Sequence, residues 1–289
     1  MSAIDQGRYA LQKPGNDVKE TAQSGRGWYA VLARTGLVAK GISFGLVGAL
    51  AIKLAVGSGG EATSREGALA QVAHHSFGKA VLIALACGFA AYAIWRFVQA
   101  FAEEQDGDEG ALKVWGKRAG YVGRGLIYAA LTFSTVKILV GAGASSSQNQ
   151  RAHKSAATLL GWPAGRWLVA AIGLVIVGVG LWNLYRGLAR TFEDKWRGGL
   201  SPVWRRWGAR AGVAGHAARC VVFGLIGVFV IKAAWDYKPK DAIGLDGALQ
   251  KLAHASYGPY LLGVTAAGLI AYGIYCLVDA RLRDVRSNT

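Results

Sequence analysis

The sequence predicts an all-α integral membrane protein, a six-helix bundle of three parallel two-helix repeats related by pseudo-threefold symmetry. Three observations carry this. Of 289 residues, 53% are hydrophobic although Lys and Arg number 33 against 17 Asp and Glu, a net charge of +16. That is too apolar for a disordered basic tail. The apolar residues gather into six runs of about twenty or more residues, with the charges collected between them. The runs also recur in pairs at a nearly fixed spacing.

Residues 1–27 contain charges, Pro14 and no apolar core long enough for a signal peptide, and read as a flexible cytoplasmic segment. The first repeat, residues 28–105, holds apolar runs at 31–56 and 77–101 around a glycine-rich polar connection. The second, 113–191, holds runs at 120–140 and 162–188; the third, 208–281, holds runs at 213–235 and 257–280, followed by a tail at 282–289. At about 1.5 Å per residue each run approaches or crosses a hydrocarbon layer of about 30 Å as a helix. Membrane strands would have to close into a barrel, and these runs are too long and too weakly alternating for that.

Gly36, Lys40, Phe44 and Lys53 return as Gly215, Arg219, Phe223 and Lys232, an offset of 179. Gly67-Ala68-Leu69, His74, Gly78, Gly88 and Tyr92 return as Gly247-Ala248-Leu249, His254, Gly258, Gly268 and Tyr272, an offset of 180. The middle unit gives Gly120, Arg124, Tyr128 and Lys137, then a more divergent half around Gly165, Gly178 and Trp182. Two helices per unit start every copy on the same side of the membrane, so the repeats are expected to be parallel, unlike the inverted repeats of many transporters.

Outside the cations embedded in the odd-numbered runs, the N-terminal segment, the second and fourth connections and the tail hold 19 Lys and Arg, against 8 in the other connections. This bias places both termini in the cytoplasm. The basic stretch 186–210 also carries Trp196, Trp204 and Trp207, a composition suited to an anionic headgroup surface, so membrane lipids, anionic ones above all, are the expected partners. No zinc-finger spacing, ribonucleoprotein motif or helix-turn-helix pattern points to nucleic acid.

The residues best placed for a special role are the cation pairs Lys40 with Lys53, Arg124 with Lys137 and Arg219 with Lys232, each 13 residues apart. That is about 20 Å along a helix, less than the hydrocarbon thickness. Either they snorkel to the interfaces or they line a wetted interior able to hold an anion or a lipid headgroup. Gly41, Gly45, Gly88, Gly178 and Gly268 are candidate helix-packing glycines, since a missing side chain lets helices approach where lipid offers no hydrophobic drive. His74 and His254 are equivalent but lack a completing ligand set; His75 and His216 have no repeated partner. Cys87, Cys220 and Cys276 read as small buried side chains, without metal or disulfide spacing. Asp and Glu fall in the connections, which leaves no intramembrane acid for proton coupling. No serine-nucleophile or nucleotide-binding motif is present, so no catalytic residue, metal or cofactor is expected.

With a Gly-xxx-Arg/Lys start, a Lys thirteen residues later, a connection containing Gly-Ala-Leu and a second helix opening at an aromatic-Gly or Pro-proximal Gly, the tandem units resemble the bacterial domain-of-unknown-function family 1206. Gly36, Lys40 and Lys53 carry the resemblance in the first copy, Gly120, Arg124 and Lys137 in the second, and Gly215, Arg219 and Lys232 in the third. The resemblance implies a multi-pass protein of the bacterial plasma membrane and supplies no catalytic residue. The expected role is a non-enzymatic scaffold or lipid-interacting protein, with a channel or transporter for a small anionic solute as the alternative.

Overall fold

The computed structural model describes residues 3–57, 64–73, 75–101, 111–141, 147–196 and 201–283, with side chains from Gly27 onward apart from 112 and 113. Among them the regular structure is helical: α1 (Ala3–Ala55), α2 (Arg65–Ala73), α3 (Gly78–Phe101), α4 (Ala111–Leu139), α5 (Gln148–Leu160), α6 (Gly165–Leu188), α7 (Pro202–Trp235), α8 (Leu245–Ala253) and α9 (Gly258–Leu282), with short 3-10 turns at Glu193–Lys195 and Pro239–Asp241. Six helices, α1, α3, α4, α6, α7 and α9, are long and apolar enough to cross a membrane. The chain is a multi-pass membrane protein. α1 has helical backbone from Ala3, where the sequence suggests a flexible segment. Once the apolar span has nucleated the helix, each further residue adds a hydrogen bond at little cost.

The three connections expected as loops contain α2, α5 and α8. In α8, Leu245, Ala248, Leu249 and Leu252 are buried at helical spacing while Gln250 and Lys251 face outward. Each short helix turns directly into a long one, and the glycine at the turn is sterically required. A Cβ on Gly78, Gly165 or Gly258 would overlap the backbone carbonyl of Val72, Leu159 or Ala253 respectively.

α5 lies between the other two short helices and ties them together. Arg151 pairs with buried Glu66 of α2 at 3.3 Å. Toward α8, the Gln148 and Asn149 side-chain oxygens accept from the backbone N–H groups of Leu245 (3.3 Å) and Gly244 (3.2 Å), and the Asn149 N–H donates to Asp246 at 3.3 Å. At the opposite face, Trp196 bridges to Arg283 and donates its indole N–H to Asp279 at 3.0 Å, fastening the α6–α7 connection to the end of α9.

Around the bundle the long helices pack in the order α4, α3, α1, α9, α7, α6. α4 and α6, consecutive among the long helices, do not form a packed pair. The α1–α9 contact is close because small residues meet: a Cβ on Gly41 would lie 2.8 Å from the Gly273 carbonyl, and one on Gly48 would lie 2.8 Å from the Ala266 carbonyl. Gly45 offers its backbone to Gly273, while the space where its own Cβ would point is open. Gly88 of α3 meets Ala39, and Gly268 of α9 meets Ala218. Gly178 of α6 has nothing within 4 Å, so the close packing expected of all five glycines does not extend to it. The reason is the missing α4–α6 contact.

Candidate functional site

Lys40, Arg124 and Arg219 sit within the membrane-crossing parts of α1, α4 and α7; Lys40 and Arg219 reach one aromatic cluster, while Arg124 is exposed. The Lys40 ammonium lies 5.1 Å from the Tyr272 ring centre and 5.6 Å from that of Tyr92. The Arg219 guanidinium donates to the Tyr272 hydroxyl at 2.6 Å and stands over the rings of Tyr272 (4.6 Å), Phe223 (5.2 Å) and Phe44 (5.6 Å). Phe44 packs edge-on against Tyr272 at 4.9 Å, and Tyr92 lies tilted against Tyr128 at 4.3 Å. The negative ring faces partly replace the water these cations lose on burial, at about 0.5–2 kcal/mol per pair.

Three further cations join them. Arg96 of α3 is buried and donates to the Tyr92 hydroxyl at 2.7 Å and to Gln99 at 2.5 Å. Arg65 reaches in from α2 to the Tyr128 hydroxyl at 3.3 Å and over Phe44 at 5.1 Å. Arg186 of α6 lies within electrostatic range of Arg124, which is in range of Arg96 and Arg219 as well. Sequence reading assigned Arg96 and Arg186 to helix ends and to the orientation bias, and Arg65 to a connection. The signal that could have found two of them is spacing: the 90-residue step from Gly88 to Gly178 and from Tyr92 to Trp182 also leads from Arg96 to Arg186.

No carboxylate forms an ion pair with Lys40, Arg96, Arg124, Arg186 or Arg219 among the described residues. The expectation that the apolar runs contain no acid is corrected by Asp279, which is buried in α9. It escaped because it sits one residue before the end of the last run, and its charge is taken up by Trp196 and by Arg283 at 3.1 Å. The buried Nε atoms of Arg65, Arg96 and Arg219 have no hydrogen-bond partner. Clustered cations with spare donors and no paired acid in a low-dielectric bundle form an arrangement suited to an anion.

The second member of each cation pair is placed differently. Lys53, Lys137 and Lys232 are all exposed; Lys137 stands over Phe133 at 4.9 Å, and Lys232 pairs with Asp241 at 3.0 Å and Asp236 at 3.6 Å. Lys137 and Lys232 are thus held by different local partners, a ring for one and carboxylates for the other. His254 is exposed and its Nδ1 meets the Gln250 carbonyl at 2.8 Å, closing α8; His74 lies outside the described residues. His216, to which the sequence assigned no role, is buried, stacks on Phe192 at 5.4 Å and hydrogen-bonds the Gly212 carbonyl at 2.7 Å. Cys276 is buried and Cys220 half-buried, but Cys87 is exposed, contrary to its expected burial, because it faces outward from α3. Among the described residues no three His, Cys, Asp or Glu side chains are grouped to hold a metal.

An uncharacterized protein, YxxB of Bacillus subtilis (strain 168), is 28% identical over 257 residues, covering 89% of this chain and 92% of that protein. No solved structure matches the chain. The family described as Domain of Unknown Function (DUF1206) matches three times, at residues 35–103, 119–190 and 214–283, so each match takes in two membrane helices and one of the cations Lys40, Arg124 and Arg219. With most of its length matched in this way, the chain belongs to the DUF1206 family.

Proposed function

We propose that this protein is a non-enzymatic, lipid-interacting component of the bacterial plasma membrane whose central cations hold an acidic phospholipid headgroup. The observation that carries the reading is the convergence of Lys40, Arg96, Arg124, Arg186 and Arg219 without an ion-paired carboxylate among the described residues. The three family matches and the recurring turn glycines support three parallel copies about a pseudo-threefold axis. In that arrangement both termini and the Trp196 latch lie on the cytoplasmic side, and α2, α5 and α8 cap the outer side. Arg96 and Arg186, near the cytoplasmic ends of α3 and α6, then face the leaflet whose surface carries acidic lipids. The conduit alternative is less well supported, because Phe44, Tyr92, Tyr128 and Tyr272 pack against one another beside the cations and leave the region filled with rings.

The test is lipid retention by native mass spectrometry, titrating phosphatidylglycerol against phosphatidylcholine. Changing Lys40, Arg124 and Arg219 together to Gln is expected to weaken phosphatidylglycerol retention by about tenfold or more, equivalent to about 1.4 kcal/mol. The same change at Lys53, Lys137 and Lys232 is expected to leave it near the parent. Equal retention in both triple variants overturns the reading. Anion flux in proteoliposomes by the parent, lost in the first variant, would establish the conduit instead.

A further inference from the structure

One seam of the bundle lacks the packing found at its counterparts. In the first unit a Cβ on Gly36 of α1 would lie 2.5 Å from Tyr92 of α3, and in the third a Cβ on Gly215 of α7 would lie 2.5 Å from the Tyr272 backbone of α9. The corresponding Gly120 of α4 has nothing within 4 Å. On the facing helix, Trp182 of α6 is 56% exposed where Tyr92 and Tyr272 are 1% and 2%. Val179, one turn before it, is 43% exposed where Phe89 and Leu269 are buried, and Val175 and Ile172 continue the uncovered stripe. α4 and α6 thus flank an apolar groove with an open side.

The groove ends at charge. Arg124, midway along α4, is exposed, and Arg186 follows Trp182 by one turn on α6, at the groove's inner end. Neither has a hydrogen-bond or ion-pair partner among the described residues, and they lie within electrostatic range of each other. From Ile172 to Arg186 is 14 residues, about 21 Å of helix. That exceeds the roughly 15 Å that one leaflet contributes to the hydrocarbon layer. Branched aliphatic residues line the deep part, while Trp182 and Tyr185 stand beside the cation, where aromatic residues favour the headgroup level.

We propose that an anionic phospholipid of the inner leaflet occupies this groove, an acyl chain along Ile172, Val175 and Val179 and its phosphate on Arg124 and Arg186. The proposal rests on the headgroup reading above and adds to it a lateral route: the lipid enters sideways between α4 and α6. Charge decides the occupant. A second copy of this chain would bring another cationic seam to the same place, and a purely apolar helix would leave both arginines unpaired in low dielectric.

Gly178→Leu and, separately, Val175→Phe fill the groove without touching a cation. In the full-length protein each should lower retention of phosphatidylglycerol at least about tenfold while leaving the binding of glycerol 3-phosphate, which has no acyl chain, as in the parent. Parent-like retention of phosphatidylglycerol in both variants overturns the groove, and the headgroup reading survives if the Lys40, Arg124 and Arg219 variant still loses the lipid. Loss of lipid and glycerol 3-phosphate alike in the filled variants also overturns it, since the cations would then have been disturbed. A spin label at Val179→Cys, in protein whose native Cys87, Cys220 and Cys276 are replaced by Ser, gives a second readout free of groove-filling side chains. Phosphatidylglycerol should immobilise it and phosphatidylcholine should not; equal spectra in the two lipids count against the site. Dimers that the filled variants abolish would assign the groove to a second copy and overturn the lipid.

Discussion

A glycine in this bundle matters according to what faces it. Gly36 and Gly215 meet tyrosine backbones or Cβ atoms at 2.5 Å, whereas Gly120 and Gly178 have nothing within 4 Å. Gly36→Ala and Gly215→Ala should therefore cost about 1–3 kcal/mol through forced separation of helices. Gly120→Ala and Gly178→Ala should be neutral or gain up to about 1 kcal/mol from helix propensity. Thermal unfolding of the four single variants in detergent checks this; the same loss in all four would contradict it. The recurrence of these glycines was legible in the sequence, but their surroundings were not, since duplication copies a residue without copying its neighbour. The same limit applies to the cations: spacing exposed Lys40, Arg124 and Arg219 and held a signal for Arg96 and Arg186, while Arg65 joined them only through packing.

At the level of elements, the six spans could be read from apolar length alone, because the bilayer sets a minimum. The short helices could not. α2 and α8 are nine residues each and interrupted by glycine, and their stability comes from neighbours. α2 packs against α1, α3 and α4, and α8 against α7 and α9, while the first turn of α5 bonds to both. Arg151→Ala leaves the Glu66 carboxylate buried without its ion pair and is expected to cost about 1–3 kcal/mol, whereas Lys154→Ala on the exposed side should cost little. Adding Glu66→Leu to Arg151→Ala should recover part of the loss, because removing both partners avoids a stranded charge. A double-mutant cycle on thermal stability measures the coupling, and strict additivity would deny that the pair joins α2 to α5. The open α4–α6 seam was equally hidden, for an apolar face against lipid and one against protein have the same composition.

For the whole molecule, handedness across the membrane is the property that charge bias alone specifies. With the native cysteines replaced, Ser256→Cys between α8 and α9 should react with an impermeant maleimide added outside intact cells, and Ser201→Cys before α7 only after permeabilisation. Both positions are exposed, so silence is not expected from burial. Reaction of both from one side would deny that α7 crosses the membrane.

The packing order has a consequence for how the chain is made. Because α4 and α6 do not pack together, the spans fall into two groups, α1 with α3 and α4, and α6 with α7 and α9, and within the membrane the groups meet through α1 and α9. Of these six spans, α1 leaves the ribosome first and α9 last. Each group can assemble from near neighbours as it emerges, but the face of α1 carrying Gly41 and Gly48 waits in lipid until α9 emerges. Maturation is therefore timed by the arrival of the C-terminal helix, a long-range closure following two local ones.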